Sequence, residues 1–412
     1  MENVKLPEGW RLEKLKDLLE DKYAGEWGDE DTDNSGICVI RTTNFTNSGR
    51  LDFSNVVTRK IDKKIIEKKE LKYGDIILEK SGGSENQPVG RVVYFDKYED
   101  NHICNNFTHV LRIYDKKAVS KYVMYFLLDI YKKGITEYFQ NKTTGIRNLQ
   151  MKRYLELDIV LPPLETQKKI VDVLEKAEKT LEKRKEAIKL LDELVKSRFI
   201  EMFGDPATNS KGWIVEELSK CLINIENGKS FVCENYSRKG EYPAILKLSA
   251  VTYGIYNSSE NKALTDENLF VESVEVKNGD LLFTRKNTPE LVGMSAYVYE
   301  TSPNLMMPDL IFRFNTNEKC NKVYLWKLIN HDLFRENIKA LSNGSAKSMS
   351  NISKQRLMSL NIPIPPLELQ NQFADFVKQV DKLKFEMQKS LKELEDNFNS
   401  LMQKAFNGEL YS

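Results

Sequence analysis

The sequence predicts an α+β protein made of two tandem α/β domains separated by a long antiparallel two-helix coiled coil, with pseudo-twofold symmetry. Three observations predict it: the chain repeats itself once, each repeat opens with mixed, strand-rich patterning, and each closes on a heptad run after a Pro-Pro break.

The repeat is read from fixed offsets. Lys5-Leu6-Pro7-Glu8-Gly9-Trp10 is echoed by Ser210-Lys211-Gly212-Trp213, and Trp10 and Trp213 lie 203 residues apart. The same offset carries Pro162-Pro163-Leu164-Glu165 to Pro365-Pro366-Leu367-Glu368, Gln167 to Gln370, Gly90 to Gly293, Asn148 to Asn351 and Phe203 to Phe406. Gly74-Asp75 meets Gly279-Asp280 at an offset of 205, so small insertions fall inside the unit. Six ordered matches at one offset are the mark of a tandem duplication.

In the first part of each unit, short β-rich runs are bounded by Gly, Asn, Ser and Asp. Examples are Gly36-Ile37-Cys38-Val39-Ile40, Asp75-Ile76-Ile77-Leu78 and Val89-Gly90-Arg91-Val92-Val93-Tyr94-Phe95, followed by a helical stretch from Tyr122 to Tyr131. The second part is a heptad seam. In the first copy it runs Ile170, Leu174, Ala177, Leu181, Ile188, Leu191, Val195 and Met202, interrupted by Arg184 and Arg198. The second copy runs Phe373, Val377, Val380, Met387, Leu391, Leu394, Phe398, Leu401 and Ala405, with Lys384 the one polar intruder. Gly204 with Pro206, and Asn407 with Gly408, supply the stops. The expected boundaries are a domain over 1–160, a long helix over 161–206, a second domain over 207–363 and a second long helix over 364–412. A twofold arrangement returns the second helix along the first so that both seams bury each other. A helix of about 39 residues at roughly 1.5 Å per residue spans on the order of 60 Å, which expects the two domains at opposite ends of a rod.

Composition sets limits. With 41% hydrophobic and 30% charged residues the chain is expected to fold as a soluble protein, and no run approaches the roughly 18–20 apolar residues that span a bilayer. The N-terminus, Met-Glu-Asn-Val-Lys, lacks a signal-peptide pattern. Cys38, Cys104, Cys221, Cys233 and Cys320 are odd in number and never spaced as Cys-x-x-Cys, as expected of a reducing cytoplasm without a zinc site. The net charge of +1 gives no whole-molecule basic field.

Order, duplication and motifs together carry a family likeness. The matching pieces are Leu6-Pro7-Glu8-Gly9-Trp10, Tyr73-Gly74-Asp75-Ile76-Ile77 with Val89-Gly90-Arg91, and Leu161-Pro162-Pro163-Leu164-Glu165-Thr166-Gln167, the last recurring as Ile364-Pro365-Pro366-Leu367-Glu368-Leu369-Gln370. Along nearly its full length the chain resembles the specificity subunits of type I restriction–modification systems. The resemblance implies two target-recognition domains, each reading one part of a bipartite double-stranded DNA sequence, and coiled helices that act as spacer and as docking site for two methyltransferase subunits. It implies a non-catalytic cytoplasmic subunit of a bacterial defence system, without a cofactor or membrane contact of its own. Methyl donor, catalysis and ATP-driven translocation belong to methyltransferase and restriction subunits.

Candidate DNA-binding residues fall in three segments per unit, each rich in Arg, Lys, Asn or small hydroxyl residues that suit base edges or phosphates. The first is Arg41, Thr42, Thr43 and Asn44, matched by Lys247 and Ser249; an ordinary polar turn is the competing reading. The second is Lys80, Ser81, Gly82 and Gly83 with Arg91, matched by Arg285, Lys286 and Asn287. It has the glycines of a phosphate cradle but lacks the Gly-Lys-Ser/Thr of a nucleotide-binding loop, and a plain strand-connecting turn remains open. The third is Lys142, Thr143, Thr144 and Arg147, matched by Ser345, Lys347 and Ser348. A departure between copies is Asn287-Thr288-Pro289-Glu290 where the first has Ser81-Gly82-Gly83-Ser84, so the two need not meet DNA alike. On the helices, Arg184, Arg198 and Lys384 either fix register or snorkel to solvent. Leu194, Phe199, Phe203, Phe376 and Phe406 lie at or beside the seam, either buried in the rod or forming a partner surface.

Enzyme readings fail on specific grounds. The Gly-rich cofactor loop and Asn/Asp-Pro-Pro-aromatic motif of an adenine methyltransferase are missing. His102, His109 and His331 are the only histidines, and none has a His-Glu-x-x-His or triad-like context. Asp62 with Glu67 and Lys69, and Asp17 with Glu20 and Lys22, match a nuclease pattern only as a highly charged chain does by chance. A protein-binding adaptor and a self-sufficient enzyme remain as rival classes.

Overall fold

The computed structural model describes residues 6–84, 86–98, 101–143, 146–266, 268–342 and 349–411. The chain forms two compact units, one of Met1–Lys185 with Ser390–Ser412 and the other of Glu186–Lys389. Each long helix is therefore divided between them.

In the first unit an antiparallel four-stranded sheet runs in the order Leu19–Ala24, Thr108–Ile113, Ile76–Glu79, Val92–Tyr94. Beside it a mixed sheet places Ile37–Ile40 between Val57–Lys60 and a parallel His102–Cys104. A third, three-stranded sheet joins Gln140–Thr143, Ile146–Leu149 and Ser81–Gly82. The helix expected near Tyr122–Tyr131 spans Ser120–Lys132 and sinks Tyr122, Val123, Tyr125 and Leu127 into the core.

The second unit repeats the principal sheet, with Leu222–Asn227, Ile311–Thr316, Leu281–Thr284 and Ser295–Tyr297 in the same order. Its mixed sheet sets Ala244–Leu246 between Asn261–Ala263 and a parallel Leu305–Met306. The matching helix is Lys322–Asn330.

Why the repeated motifs recur is visible in the turns. Gly74 and Gly279 adopt φ of +95° and +86°, a region favouring glycine. The aspartate that follows is buried and closes its turn by accepting the backbone N–H of Lys72 (Asp75, 2.8 Å) or Lys277 (Asp280, 2.9 Å). Each carboxylate then holds an arginine of the central strand. Arg112 binds Asp75 through Nε and Nη2, both at 2.8 Å, and Arg313 reaches Asp280 at 3.0 Å and also Glu226. Gly90 and Gly293 are required by space as well: a Cβ would lie 2.9 Å from Thr136 or 2.3 Å from Ile338.

The long helices span Leu164–Phe203 and Leu367–Phe406, 40 residues each. Their starts are tied down by the glutamine of the Pro-Pro-Leu-Glu-x-Gln motif. Gln167 is fully buried; it donates to the Pro162 carbonyl (2.8 Å) and accepts from the Val119 N–H (2.8 Å). Gln370 repeats this with Pro365 (2.8 Å) and Asn321 (2.8 Å).

Within the first unit, Ile170, Leu174 and Leu181 share a core with Phe398, Met402, Ala405 and Phe406. Phe406 packs edge-on against Tyr122, near the Gln167 anchor, while Lys185 pairs with Glu395 at 3.0 Å farther along, so the helix segments run antiparallel. In the second unit Val195, Phe199, Met202 and Phe203 meet Phe373, Val377 and Val380. There Phe203 touches Phe373 and Lys384 pairs with Asp192 at 2.6 Å, again antiparallel. The seam is tightest near the principal sheets: Ile188, Leu191, Met387, Leu391 and Leu394 are only half-buried. Met402 takes the fully buried position expected of Leu401. Phe199, Phe203 and Phe406 are core residues, Phe376 is half-buried and Leu194 is exposed. Of the seam's polar intruders, Lys384 fixes register through Asp192, Arg198 pairs with Glu201 at 2.7 Å, and Arg184 is half-buried.

Gln167→Leu strands a buried N–H and carbonyl, a loss of about 1–3 kcal/mol per unsatisfied group. Denaturant unfolding is expected to show that cost for Gln167→Leu, and a similar one for Gln370→Leu. Wild-type stability in both variants would refute the anchoring role.

Candidate nucleic-acid interface

Segments far apart in sequence meet in the first unit. The turn at Thr42–Asn44 is closed by Asn44, whose Oδ1 accepts the Arg41 N–H (2.9 Å) and whose Nδ2 donates to the carbonyls of Asp52 (3.0 Å) and Asn55 (3.1 Å). Asn44 is buried, and its amide is spent on the loop's own backbone. Arg41 donates through Nη2 to Asn55 O at 2.9 Å.

Arg91 links this loop to the second segment. Its buried guanidinium binds Glu79 in a two-pronged pair (2.7 and 3.1 Å) and donates to the carbonyls of Thr42 (3.1 Å) and Phe45 (3.3 Å). Burial pushes the Glu79 carboxyl up and Arg91 pulls it down. Burial is the larger effect, and the net direction is up. Glu79 ends a strand, and Lys80-Ser81-Gly82 continues directly from it.

The third segment lies against the second. Arg147 is in register with Gly82 and Asn148 with Ser81; Ser81 Oγ donates to Asn148 Oδ1 at 2.7 Å, and Leu149 N–H donates to Lys80 O at 2.8 Å. Thr43 and Gly83 are exposed, and Arg41, Thr42, Lys80, Ser81, Gly82 and Arg147 are half-buried. Lys142 and Thr143 lie in the strand paired with Ile146–Leu149. Thr144 lies outside the described residues.

His109, on the strand beside Lys80, is pushed down to about 4 by burial first and then by the charges of Lys80 and Lys22. It stands neutral at physiological pH, and the positive field here comes from the lysines.

The second unit brings the matching segments together differently. Asn287 is buried and donates to Thr252 Oγ1 at 3.0 Å, joining the turn at Ser249–Thr252 to the strand Lys286–Asn287. That strand pairs with Ser350–Asn351, and Ile352 N–H donates to Arg285 O at 2.8 Å, the counterpart of the Leu149 bond. Arg285 donates through Nε to Asp309 O at 2.7 Å and stacks on Phe312. Lys247 (3.6 Å) and Ser249 (2.6 Å) both engage Glu260, whose carboxyl is held low by Ser249 and then Lys247. Ser345, Lys347 and Ser348 lie outside the described residues.

Sequence reasoning missed the braces. Arg91, Asn44 and Asn287 serve as internal ties, with Glu79 the acidic partner of Arg91, while Glu260 holds Lys247 and Ser249. Glu79 was the readable signal: a charge closing the apolar strand Ile76-Ile77-Leu78. Among the described residues no cluster of three or more His, Cys, Asp or Glu is placed to hold a metal, and no helix is long and apolar enough to cross a membrane. Asp62 caps the helix Lys63–Lys69 by accepting the Lys64 N–H, and Lys69 pairs with Glu26, which accounts for two members of the nuclease-like pattern.

The repeated arrangement coincides with a repeated family match. Residues 7–190 and 213–396 each match the type I restriction modification DNA specificity domain. The chain belongs to that family and carries two copies of its domain. It is 31% identical over 183 residues to the type I restriction enzyme EcoEI specificity subunit of Escherichia coli, covering 43% of this chain and 31% of that relative. The putative MjaX specificity subunit of Methanocaldococcus jannaschii is 22% identical over 98% of this chain and 94% of its own length. The EcoKI specificity subunit of Escherichia coli K12 is 23% identical over 98% of this chain and 90% of its own. In fold, the chain resembles the crystal structure of the S subunit from M. genitalium, with a TM-score of 0.57 at 15% identity and 98% of each chain covered.

Two outcomes are expected of this geometry. Arg91→Ala leaves Glu79 buried and unpaired, a loss of about 3–5 kcal/mol; Arg91→Met with Glu79→Leu is expected to lose clearly less in denaturant unfolding. The second concerns pH. The unfolded state takes up a proton on His109 near pH 6.5, whereas the folded state refuses it until about 4. Stability present above 6.5 is therefore lost as pH falls through that window, and His109→Gln is expected to flatten that part of the pH–stability curve.

Proposed function

We propose that this chain confers DNA sequence specificity on a type I restriction–modification enzyme by reading a bipartite, asymmetric target in double-stranded DNA. Residues 1–160 and 207–363 are the two target-recognition domains, and 161–206 and 364–412 the spacer helices. The reading rests on ties between distant segments: in the first unit Arg91 ties the Thr42–Asn44 turn to Glu79, whose strand runs on into Ser81–Gly82 beside Ile146–Leu149, and in the second Asn287 ties Ser249–Thr252 to a strand paired with Ser350–Asn351. Arg41, Thr42, Thr43, Lys80, Ser81, Gly82, Gly83, Lys142, Thr143, Thr144 and Arg147 form the first contact surface, with Asn44 and Arg91 bracing it. Lys247, Ser249, Arg285, Lys286, Ser345, Lys347 and Ser348 form the second, braced by Asn287. Non-identical surfaces favour two different half-targets.

The long helices dock two methyltransferase subunits, and through that assembly the restriction subunits. Leu190, Leu194, Leu383 and Phe385 support this: they are large apolar side chains left exposed on the outer faces of the helices. The chain works in the cytoplasm, without a cofactor of its own.

The test is a chimera. With residues 1–160 exchanged for those of a relative and the chain assembled with methyltransferase, methylation mapping is expected to show one half of the motif changed. A change in both halves, or in neither, sinks the two-reader reading. Affinity for duplex should also fall steeply as salt rises, because phosphate contacts release counterions.

A further inference from the structure

We infer that Cys221 and Cys320 of the second unit form a redox-active dithiol, which a hydroperoxide closes to a disulfide and a thiol reductant reopens, at the anchor of the second long helix.

The two cysteines lie far apart in sequence and are brought together by the backbone. Asn317 N–H donates to the Cys221 carbonyl at 3.0 Å, and Cys320 N–H donates to the Asn317 carbonyl at 3.3 Å. Their thiols hydrogen-bond each other inside the core that also holds Phe314, Tyr324 and Leu357.

The first unit builds the same frame without the sulfurs. Leu18 O accepts the Tyr114 N–H at 2.9 Å, as Cys221 O accepts from Asn317. Ala118 precedes Val119, whose N–H Gln167 holds, as Cys320 precedes Asn321, whose N–H Gln370 holds. Leu18 and Ala118 are fully buried, so an apolar pair meets the packing need there. The second unit has cysteine at both positions and the first at neither. One buried cysteine is a small apolar filler. Two that face each other supply both atoms of an S–S bond.

Their shared hydrogen bond makes the sulfurs unlike. It holds the Cys221 thiol below the ordinary range, against the effect of burial, and it pushes Cys320 up, with burial adding to the rise. Cys221 is the nucleophile, because the thiolate is the reactive form. Cys320 lines an open groove of about 730 Å³ with Tyr297, Asn321 and Lys322, a route for a molecule as small as hydrogen peroxide. The Cys221 thiolate attacks one peroxide oxygen: an S–O bond forms, the O–O bond breaks, and the departing hydroxide takes a proton from solvent to leave as water. The Cys320 sulfur then attacks the sulfenic sulfur; the S–S bond forms, the S–O bond breaks, and hydroxide leaves as a second water with the Cys320 proton. The two thiols lose two electrons and the peroxide gains them.

Placement gives the bond a consequence. Gln370 Nε2 donates to Lys319 O at 3.0 Å and Gln370 Oε1 accepts the Asn321 N–H at 2.8 Å, so Cys320 sits between the two residues that anchor the helix Leu367–Phe406. Closing the disulfide ties that anchor to the start of the strand Leu222–Asn227. In reducing compartments such bonds are transient and serve redox sensing.

The experiment treats the full chain with hydrogen peroxide, alkylates the remaining thiols in denaturant and maps peptides by mass. Cys38→Ser with Cys233→Ser serves as a parallel background, because those two thiols are only half-buried. The expected result, in both chains, is a Cys221–Cys320 linked peptide lighter by two hydrogens than its separate parts, lost on treatment with dithiothreitol. Hydrogen exchange in peptides covering 367–370 is expected to slow in the oxidised form and to recover on reduction. Cys320→Ala, which installs the residue of the first unit, is expected to abolish both responses while folding as wild type does; Cys221→Ser checks the same loss from the other side. Both thiols still open to alkylation after peroxide would overturn the inference, as would oxygen added to Cys221 with Cys320 left free. Crosslinking without any change in exchange at 367–370 would overturn the link to the helix anchor.

Discussion

Everything in the molecule depends on the burial of each long helix's seam by the other helix within the same core as a domain sheet. Phe398, Met402 and Phe406 complete the core of the first unit although more than 200 residues separate them from its last strand. At about 1.5–3 kcal/mol for each large side chain fully buried, these three contribute on the order of 5–9 kcal/mol. That is comparable with the whole stability of a typical domain, about 5–15 kcal/mol. The second helix is thus part of the first domain's core and cannot be treated as an appendage. The same holds for Phe199 and Phe203 of the first helix, which pack on Tyr324 and Phe373 in the second unit.

Such shared cores need rigid joints, and the sequence repeats the joints more faithfully than anything else. Gln167 and Gln370 lock each helix start to the backbone just before the short helix of the domain. Asp75–Arg112 and Asp280–Arg313 lock the central strand to the turn that enters the sheet. Among the positions that kept their identity through duplication, Gln167/Gln370 and Asp75/Asp280 are buried polar groups that need a partner, and Gly74/Gly279 and Gly90/Gly293 are places where the backbone needs glycine. Changing one member alone would leave a buried charge or N–H unsatisfied, which costs far more than swapping one apolar side chain for another.

That asymmetry explains what the sequence made legible. Periodicity exposed the helices because a seam needs an apolar residue every three or four positions, and the offset exposed the duplication because the joints are unforgiving. Exact seam membership was less readable: Met402 displaced Leu401, and Phe199 and Phe203 went inward, since domain residues such as Tyr324 also press on the helix. At the candidate interface the segments were legible as polar and basic, but individual roles were not. Arg91 and Asn44 have the composition of DNA contacts and the surroundings of structural ties. Whether an arginine faces solvent or a buried glutamate depends on which strand runs beside it, and that is set by tertiary pairing.

The braces differ between the copies, and the difference has a direction. In the first unit the loop is held by a buried arginine–glutamate pair, whose strength comes from two charges in a poorly solvated place. In the second the corresponding loop is held by an amide-to-hydroxyl bond, Asn287 to Thr252, while Lys247 and Ser249 lean on Glu260 near the surface. A buried ion pair tolerates little change around it, because each charge relies on the other. Neutral hydrogen bonds and a surface carboxylate tolerate more, as a lost partner there is replaced by water. The duplicated scaffold therefore gives the two candidate surfaces unequal freedom to diverge: the joints are shared, the first surface is pinned by charge, and the second is held by bonds that substitution disturbs less.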